Sequence, residues 1–363
     1  MAANEIKIER NPIKQILKDK FALFALILLF CLYFAVAMAD FFAVYKEEFS
    51  DRNMSYAPPS KIYVITADGK LSMPYTYNYT RTFNPETFAN DYKTDRSQKY
   101  YIKLFAKGFE YKFFGLIKTD RHLFGLDNPN GRLFFLGADI NGRDNFSRLL
   151  YGGQISLTIG FLALFISFPL GLLYGGISGY AGGITDNIMM RIAEAVMSIP
   201  SFYLLIILAA LLPANMTSSQ RFTLIIVILA FIGWAGFARV VRGMVLSIKT
   251  QEFVESAKSI GASSFRIITK HILPQTASYV LVAITLSVPG FILGESGLSF
   301  LGLGIQQPDA SWGNMLKEAQ EYTNILYRPW LLTPGYLIFV TILSFNLIGD
   351  TIRDVLDPKS YGR

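Results

Sequence analysis

The side chains able to do covalent or metal chemistry are few and far apart. The chain has two histidines, His122 and His271, and one cysteine, Cys31. Nucleophilic catalysis needs a nucleophile, a base and a group that orients the base, and one isolated histidine per neighbourhood supplies no such set. A single cysteine builds neither a disulfide framework nor a thiolate zinc site. No G-x-x-x-x-G-K-[ST] phosphate loop occurs, so nothing in the chain is expected to cradle ATP. The expectation is a non-enzyme with no metal site and no cofactor of its own. What stands out instead is charge in apolar surroundings. Asp40, Glu194, Arg239 and Glu295 fall within or at the edge of long hydrophobic runs, where an ionisable group costs roughly 2.5–3.5 kcal/mol at mid-membrane. Between two such runs lies "VESAKSIGASSFRIITKHILP", Val254 to Pro274, which is polar, basic and internally patterned.

The elements that must carry these residues follow from hydropathy. Hydrophobic residues make up 52% of the 363 and charged ones 17%, with a mean hydropathy of +0.35, too few polar side chains to cover a soluble surface. Crossing roughly 30 Å of hydrocarbon takes about 20 helical residues. Stretches of that kind occur at Phe21–Val44, Ile155–Ile177, Ile192–Leu212, Phe222–Val241, Thr276–Leu298 and Leu331–Ile348. The first is too long for the apolar core of a signal peptide and is expected to stay as an anchor. An all-α polytopic membrane protein with six spans is predicted.

Charge sets the orientation. Lys7, Arg10, Lys14, Lys18 and Lys20 precede the first span, and short basic flanks stay on the cytoplasmic side. Six spans return Arg353, Lys359 and Arg363 to the same side. The loop with Arg239, Arg242, Lys249, Lys258, Arg266 and Lys270 then lies inside, and the outer loops Pro213–Arg221 and Gly302–Trp330 hold only Arg221, Lys317 and Arg328. The net charge of +7 is thus spread over flanks of apolar runs, which argues against nucleic acid as a partner. Arg191 and Glu194, three apart on one helix face, read as a structural ion pair. Arg239 and Asp40 sit near span ends, where they can reach the interface.

The chain divides into a cytoplasmic segment 1–20, a first span 21–44, an extracytoplasmic domain 45–150, a five-helix core 151–350 that includes a cytoplasmic loop 246–274, and a cytoplasmic tail 351–363. The outer domain is rich in Tyr and Phe, with strand-like runs "KIYVITADG" and "KLSMPYTYNY" around an Asp68-Gly69 turn signal. A small, partly β fold is expected there. No internal repeat is visible.

In the cytoplasmic loop, Phe253, Ala257 and Ile260 recur at helical spacing, and Gly261 can break the helix or take a positive φ. "SSFRIITKHI" resumes helically, and Pro274 opens the next span at a tolerated first-turn position. Two short helices joined by a turn suit docking into a groove on a partner. They serve equally as an interfacial connector between spans.

The spacing Glu255-Ser-Ala257, then Gly261, then Pro274 resembles the EAA loop of ABC-importer permeases, with Ser256 in place of the usual alanine. "LGADINGRDNFSRLLYGGQISL" (Leu136–Leu157), "GESGLSFLGLGIQQPDASWGNML" (Gly294–Leu316) and "GDTIRDVLDP" (Gly349–Pro358) resemble the same family, namely the second permease subunit of its dipeptide, oligopeptide and nickel importers. Gly137-Ala-Asp139 stands where the family has Gly-Thr-Asp, and the segment 45–150 is longer than usual. The resemblance implies a bacterial inner-membrane permease working with a second permease subunit, two ATP-binding subunits that hold ATP and Mg, and an extracytoplasmic solute-binding protein. The substrate it implies is a peptide, or alternatively nickel or another small solute. It also implies that Glu255 to Pro274 couples to an ATPase subunit. Glu255 would fix the loop by polar contacts, Ala257 belongs to the same motif, Gly261 permits the turn, and Phe265 and Ile267 are apolar anchors that could equally pack on the chain's own spans.

Glu295 follows Pro289-Gly290, which is expected to break the fifth span. The three residues are candidates for an extracytoplasmic gate beside the partner permease, with a buried carboxylate tied to a neighbouring span as the alternative. Two other classes remain open. A secondary transporter needs paired broken helices with ion-coordinating groups, and only the fifth span reads as broken. A membrane-anchored receptor would use the outer domain but leave five spans idle.

Overall fold

A computed structural model describes residues 16–66, 69–85, 89–113, 115–213 and 215–356. Lys7, Arg10, Lys14, Asp68, Lys359 and Arg363 lie outside the described residues.

The first span, α1 (Lys20–Ala37), starts where the Asp19 carboxylate accepts the N–H groups of Phe21 and Ala22 at 2.8 and 3.0 Å. Phe24, Ile27, Phe30 and Phe34 are exposed along it, the pattern of a lipid-facing side. It ends earlier than its composition suggests. The chain turns at Met38, and a four-residue helix α2 (Ala39–Phe42) follows.

The second span is α3 (Asn145–Ala181), far longer than the apolar run that signals it. Asp144 caps it, accepting from the Ser147 N–H at 2.8 Å, and Gly182 with φ +66° stops it. Gly171, Gly175 and Gly179 recur every fourth residue and lie against α6 (Ser218–Ile248). A Cβ on Gly175 would stand 2.3 Å from the Ala238 carbonyl oxygen, and one on Gly179 2.8 Å from that of Arg242. These glycines therefore serve close helix packing within one chain.

Two span expectations are corrected. The run Ile192–Leu212 is not one straight helix: α4 (Gly183–Met197) and α5 (Ser201–Ala210) meet at 77°. Pro200 has no N–H to continue the ladder and forces the preceding residue out of helical geometry. The fifth span, by contrast, is unbroken. α9 (Ala277–Phe300) runs through Pro289-Gly290, because Val288, Pro289, Phe291 and Ile292 are all buried and packing holds the helix on both sides of the proline. With α12 (Thr333–Leu356), five helices are long and apolar enough to cross a membrane, or six if α4 and α5 form one broken span.

Between α6 and α9 come α7 (Glu252–Ser259) and α8 (Ser264–Arg266); between α9 and α12 come α10 (Trp312–Leu316) and α11 (Tyr322–Tyr327). The outer domain is an antiparallel meander of β1 (Tyr63–Ile65), β2 (Leu71–Asn84), β3 (Ala89–Phe113) and β4 (Ile117–Leu126), ordered β1-β2-β3-β4. The first half of β3 pairs with β2 and the second with β4.

Candidate functional site

The loop between α6 and α9 is built on a helix stop. Gly261 has φ +78°, its N–H donates to the Lys258 carbonyl at 2.9 Å, and the Ala262 N–H reaches back to Ala257 at 3.1 Å. This is a Schellman closure of α7, which needs a residue free to be left-handed. Val254 and Ala257 turn inward and are buried, while Glu255 is exposed and pairs with Lys258 at 2.8 Å. An exposed pair of this kind holds its partners loosely, leaving the Glu255 carboxylate free to exchange. On either side of the turn, Ile260 and Phe265 are 85% and 68% exposed.

Ile267 is a correction. It is 1% exposed and packs in the chain's own core with Ile268 and Ile272, so it is no docking anchor. Pro274 stands in the first turn of a 3-10 segment, Leu273–Thr276, that leads into α9, and Ser264–Phe300 forms one continuous helical stretch across it. Over Ile267–Ile272 the helix widens, and the Leu273 N–H donates five residues back to Ile268. Such a bulge absorbs the hydrogen bond the proline cannot make.

The loop rests on the C-terminal end of α3. Lys249 Nζ caps the Gly179 carbonyl at 2.8 Å, and Lys258 Nζ lies 5.9 Å from the Tyr180 ring centre. Beneath it, Asp186 of α4 takes a two-pronged ion pair from Arg242 of α6, with Nε to Oδ1 at 3.0 Å, and also bonds Ser178 of α3. Sequence reading missed this three-helix tie, because Asp186 precedes the apolar run by which the third span was placed.

A cavity of about 930 Å³ opens between α5, α6 and α9, lined by Phe202, Leu205, Gly233, Gly236, Gly290 and Gly294 and almost wholly apolar. Gly290 is thus on the wall, while Pro289 is buried behind it. Glu295 is not on the wall. It is fully buried and accepts from Ser156 Oγ of α3 at 3.0 Å and Ser299 Oγ at 2.6 Å; Ser156 Oγ also accepts the Trp312 N–H at 3.1 Å. This is the tie to a neighbouring span that the sequence left open as the alternative.

A second buried network sits at the N-terminal end of α3. Asp139 accepts from Arg143 Nε at 2.6 Å and lies 3.7 Å from Arg148 Nε, while Glu318 accepts the Ile140 N–H at 3.1 Å. Burial pushes Glu318 up, reinforced by Asp139. Asp144 is pushed up to about 7, chiefly by desolvation. Its Oδ1 has no hydrogen-bond partner among the described residues. Arg143 and Arg148 are near Asp139 in the chain, but Glu318 is not, so spacing gives no signal of its approach. His122 is structural, with its ring nitrogens 2.7 Å from the Asp40 carbonyl oxygen and 2.9 Å from that of Phe109.

A profile of the family described as Binding-protein-dependent transport system inner membrane component matches residues 167–360. The Dipeptide transport system permease protein DppC of Bacillus subtilis is 45% identical over 227 residues, covering 62% of this chain and 68% of its own. The Oligopeptide transport system permease protein OppC of Haemophilus influenzae is 45% identical over 226 residues, 62% and 70% of the two chains. The Glutathione transport system permease protein GsiD of Escherichia coli is 41% identical over 238 residues, 65% and 76%. Among solved structures, a chain of the inward-facing MetNI methionine ABC transporter is 20% identical with a TM-score of 0.45, covering 58% of this chain and 97% of that one. The profile takes in the loop, the cavity and the buried Glu295 together, and the chain belongs to the family of binding-protein-dependent transport system inner membrane components.

Proposed function

We propose that this membrane permease is the transmembrane subunit of an ATP-driven importer of peptides. It pairs with a second permease across the cavity between α5, α6 and α9, and two separate ATP-binding subunits hold ATP and Mg. An extracytoplasmic solute-binding protein delivers the substrate. Both termini lie in the cytoplasm of a bacterial cell, and the loop around Gly261 faces the ATPase.

One observation carries this reading. Ile260 and Phe265 stand exposed on both sides of a glycine turn whose neighbours Val254, Ala257 and Ile267 are buried in the chain's own body. A connector needs no such outward pair, whereas a groove on a partner does. The peptide substrate rests on the names of the relatives and on a cavity whose apolar, glycine-rich wall leaves room for varied side chains. Glu295 acts from behind that wall by holding α9 to α3 and to the start of α10.

The test is purification from native membranes followed by uptake measurement in reconstituted vesicles. ATPase subunits should accompany the chain, and peptide uptake should stop on ATP depletion. Uptake that survives ATP depletion and collapses with an ion gradient would refute the proposal in favour of a secondary transporter.

A further inference from the structure

The β3–β4 hairpin is the least expected part of the outer domain. Its turn carries Leu116 at 85% and Ile117 at 65% exposure, and Phe105 further down is 60% exposed. Apolar side chains so bare on a hairpin call for a partner. Charge on the same hairpin is basic. Lys112 and Lys118 face each other across the strands, and like charges directly opposite repel unless an anion lies between or beside them. Lys107 and Arg121 have Asp120 within 3.3 and 4.0 Å, but neither Lys112 nor Lys118 has an acidic partner among the described residues.

The place of the hairpin decides which partner fits. Phe30 and Phe34 belong to the exposed side of α1 and stack at 6.1 Å. From Phe34 the contacts continue to Phe42 at 6.2 Å, from Phe42 to Phe41 at 5.4 Å, and from Phe41 to Phe105 at 6.2 Å and Phe113 at 6.4 Å. An unbroken aromatic ladder therefore joins the lipid-facing side of the first span to the hairpin. His122 locks the two together through the Asp40 carbonyl.

We infer that the β3–β4 hairpin lies on the outer leaflet of the membrane. Leu116, Ile117 and Phe105 enter the interfacial zone, and Lys112 and Lys118 meet anionic lipid headgroups. An apolar hairpin tip with lysines beside it is the chemistry that an anionic membrane surface takes up. The same contact would hold the whole meander at a set height and tilt above the permease.

The assembled importer, carrying Cys31→Ser and a nitroxide on Leu116→Cys, would be reconstituted into vesicles of phosphatidylethanolamine and phosphatidylglycerol. Collisions with lipid-soluble oxygen and with a water-soluble nickel chelate are then compared. The label at 116 should favour oxygen, whereas a control label on the exposed Ser97→Cys should favour nickel. Ile117→Cys repeats the measurement if the first variant does not assemble. Lys112→Glu with Lys118→Glu should shift the 116 label towards nickel, and should do so more on these vesicles than on phosphatidylcholine alone. A 116 label as open to nickel as the control, or shielded from both agents by protein, overturns the inference. A depth that ignores the lysine changes overturns its headgroup part.

Discussion

Gly261→Val is the sharpest perturbation of the loop between α6 and α9, because its cost is almost purely conformational. A Cβ at this position meets nothing within 4 Å, so no clash spreads into the spans. The backbone, however, sits at φ +78°. Holding an L-residue in the left-handed region costs roughly 1–2 kcal/mol, with β-branched side chains at the upper end or beyond. The loop can carry that strain or relax by opening the Schellman closure, which moves Ile260 and Phe265 relative to each other. Either way, a partner groove that needs both residues loses about 5- to 30-fold in affinity. The assay is peptide uptake and ATP hydrolysis side by side in reconstituted vesicles, with membrane abundance as control. Gly261→Val should lower uptake per ATP hydrolysed while abundance stays constant. Gly261→Asn, whose side chain tolerates positive φ, should recover most of the loss. Equal uptake per ATP in Val and wild type, or an Asn variant as poor as Val, would refute the argument from backbone geometry.

Three further outcomes are expected. Arg242→Ala leaves Asp186 without its cation among three packed helices; because Arg242 is about a third exposed, the loss should be about 2–3 kcal/mol, read as a lower thermal midpoint in detergent. Asp144 has a folded pKa raised from 3.8 to about 7. Its contribution is therefore full below about pH 4, is lost as pH rises to about 7, and amounts to about 4 kcal/mol over that window. Asp144→Asn keeps a capping side chain and should flatten that part of the stability curve relative to wild type. Glu295→Gln loosens the bonds to Ser156 and Ser299 at a cost of about 1–3 kcal/mol, so uptake should fall in step with abundance. Uptake lost at unchanged abundance would instead return Glu295 to a direct role in the pathway.

The spans were legible because a membrane helix needs only apolar letters in sufficient number. Their breaks were not. Pro200 and Pro289 carry the same local signal with opposite results: the first bends its helix by 77°, and the second sits in one that continues. What separates them is burial on both sides of Pro289, a tertiary fact. In the loop, the glycine stop could be read from residue type, but the inward turn of Ile267 could not. Two residues apart, Phe265 and Ile267 stand about 200° apart around a helix and take opposite faces, but which face meets the chain's own spans is a tertiary fact. Asp186 with Arg242, and Ile140 with Glu318, were hidden because contacts between distant segments leave no fixed spacing in one chain.

The corrected geometry also says how movement at the loop could reach the cavity. A break at Pro289 would have dissipated motion before it reached Glu295. Instead, Ser264–Phe300 is one helical run of 37 residues, about 55 Å long. Phe265 stands exposed at one end, Gly290 and Gly294 line the cavity further along, and Glu295 fixes the far part to α3. On the proposed coupling, a push at Phe265 tilts this helix about Glu295 and moves the cavity wall between them. The softest point on that helix is the widened turn at Ile267–Ile272, close to where force enters. Coupling of this kind travels through a rigid element with two positions rather than through a chain of small side-chain shifts. It also fits a carboxyl group buried away from the cavity and held by serine hydroxyls of two helices, since a pivot has to hold under load.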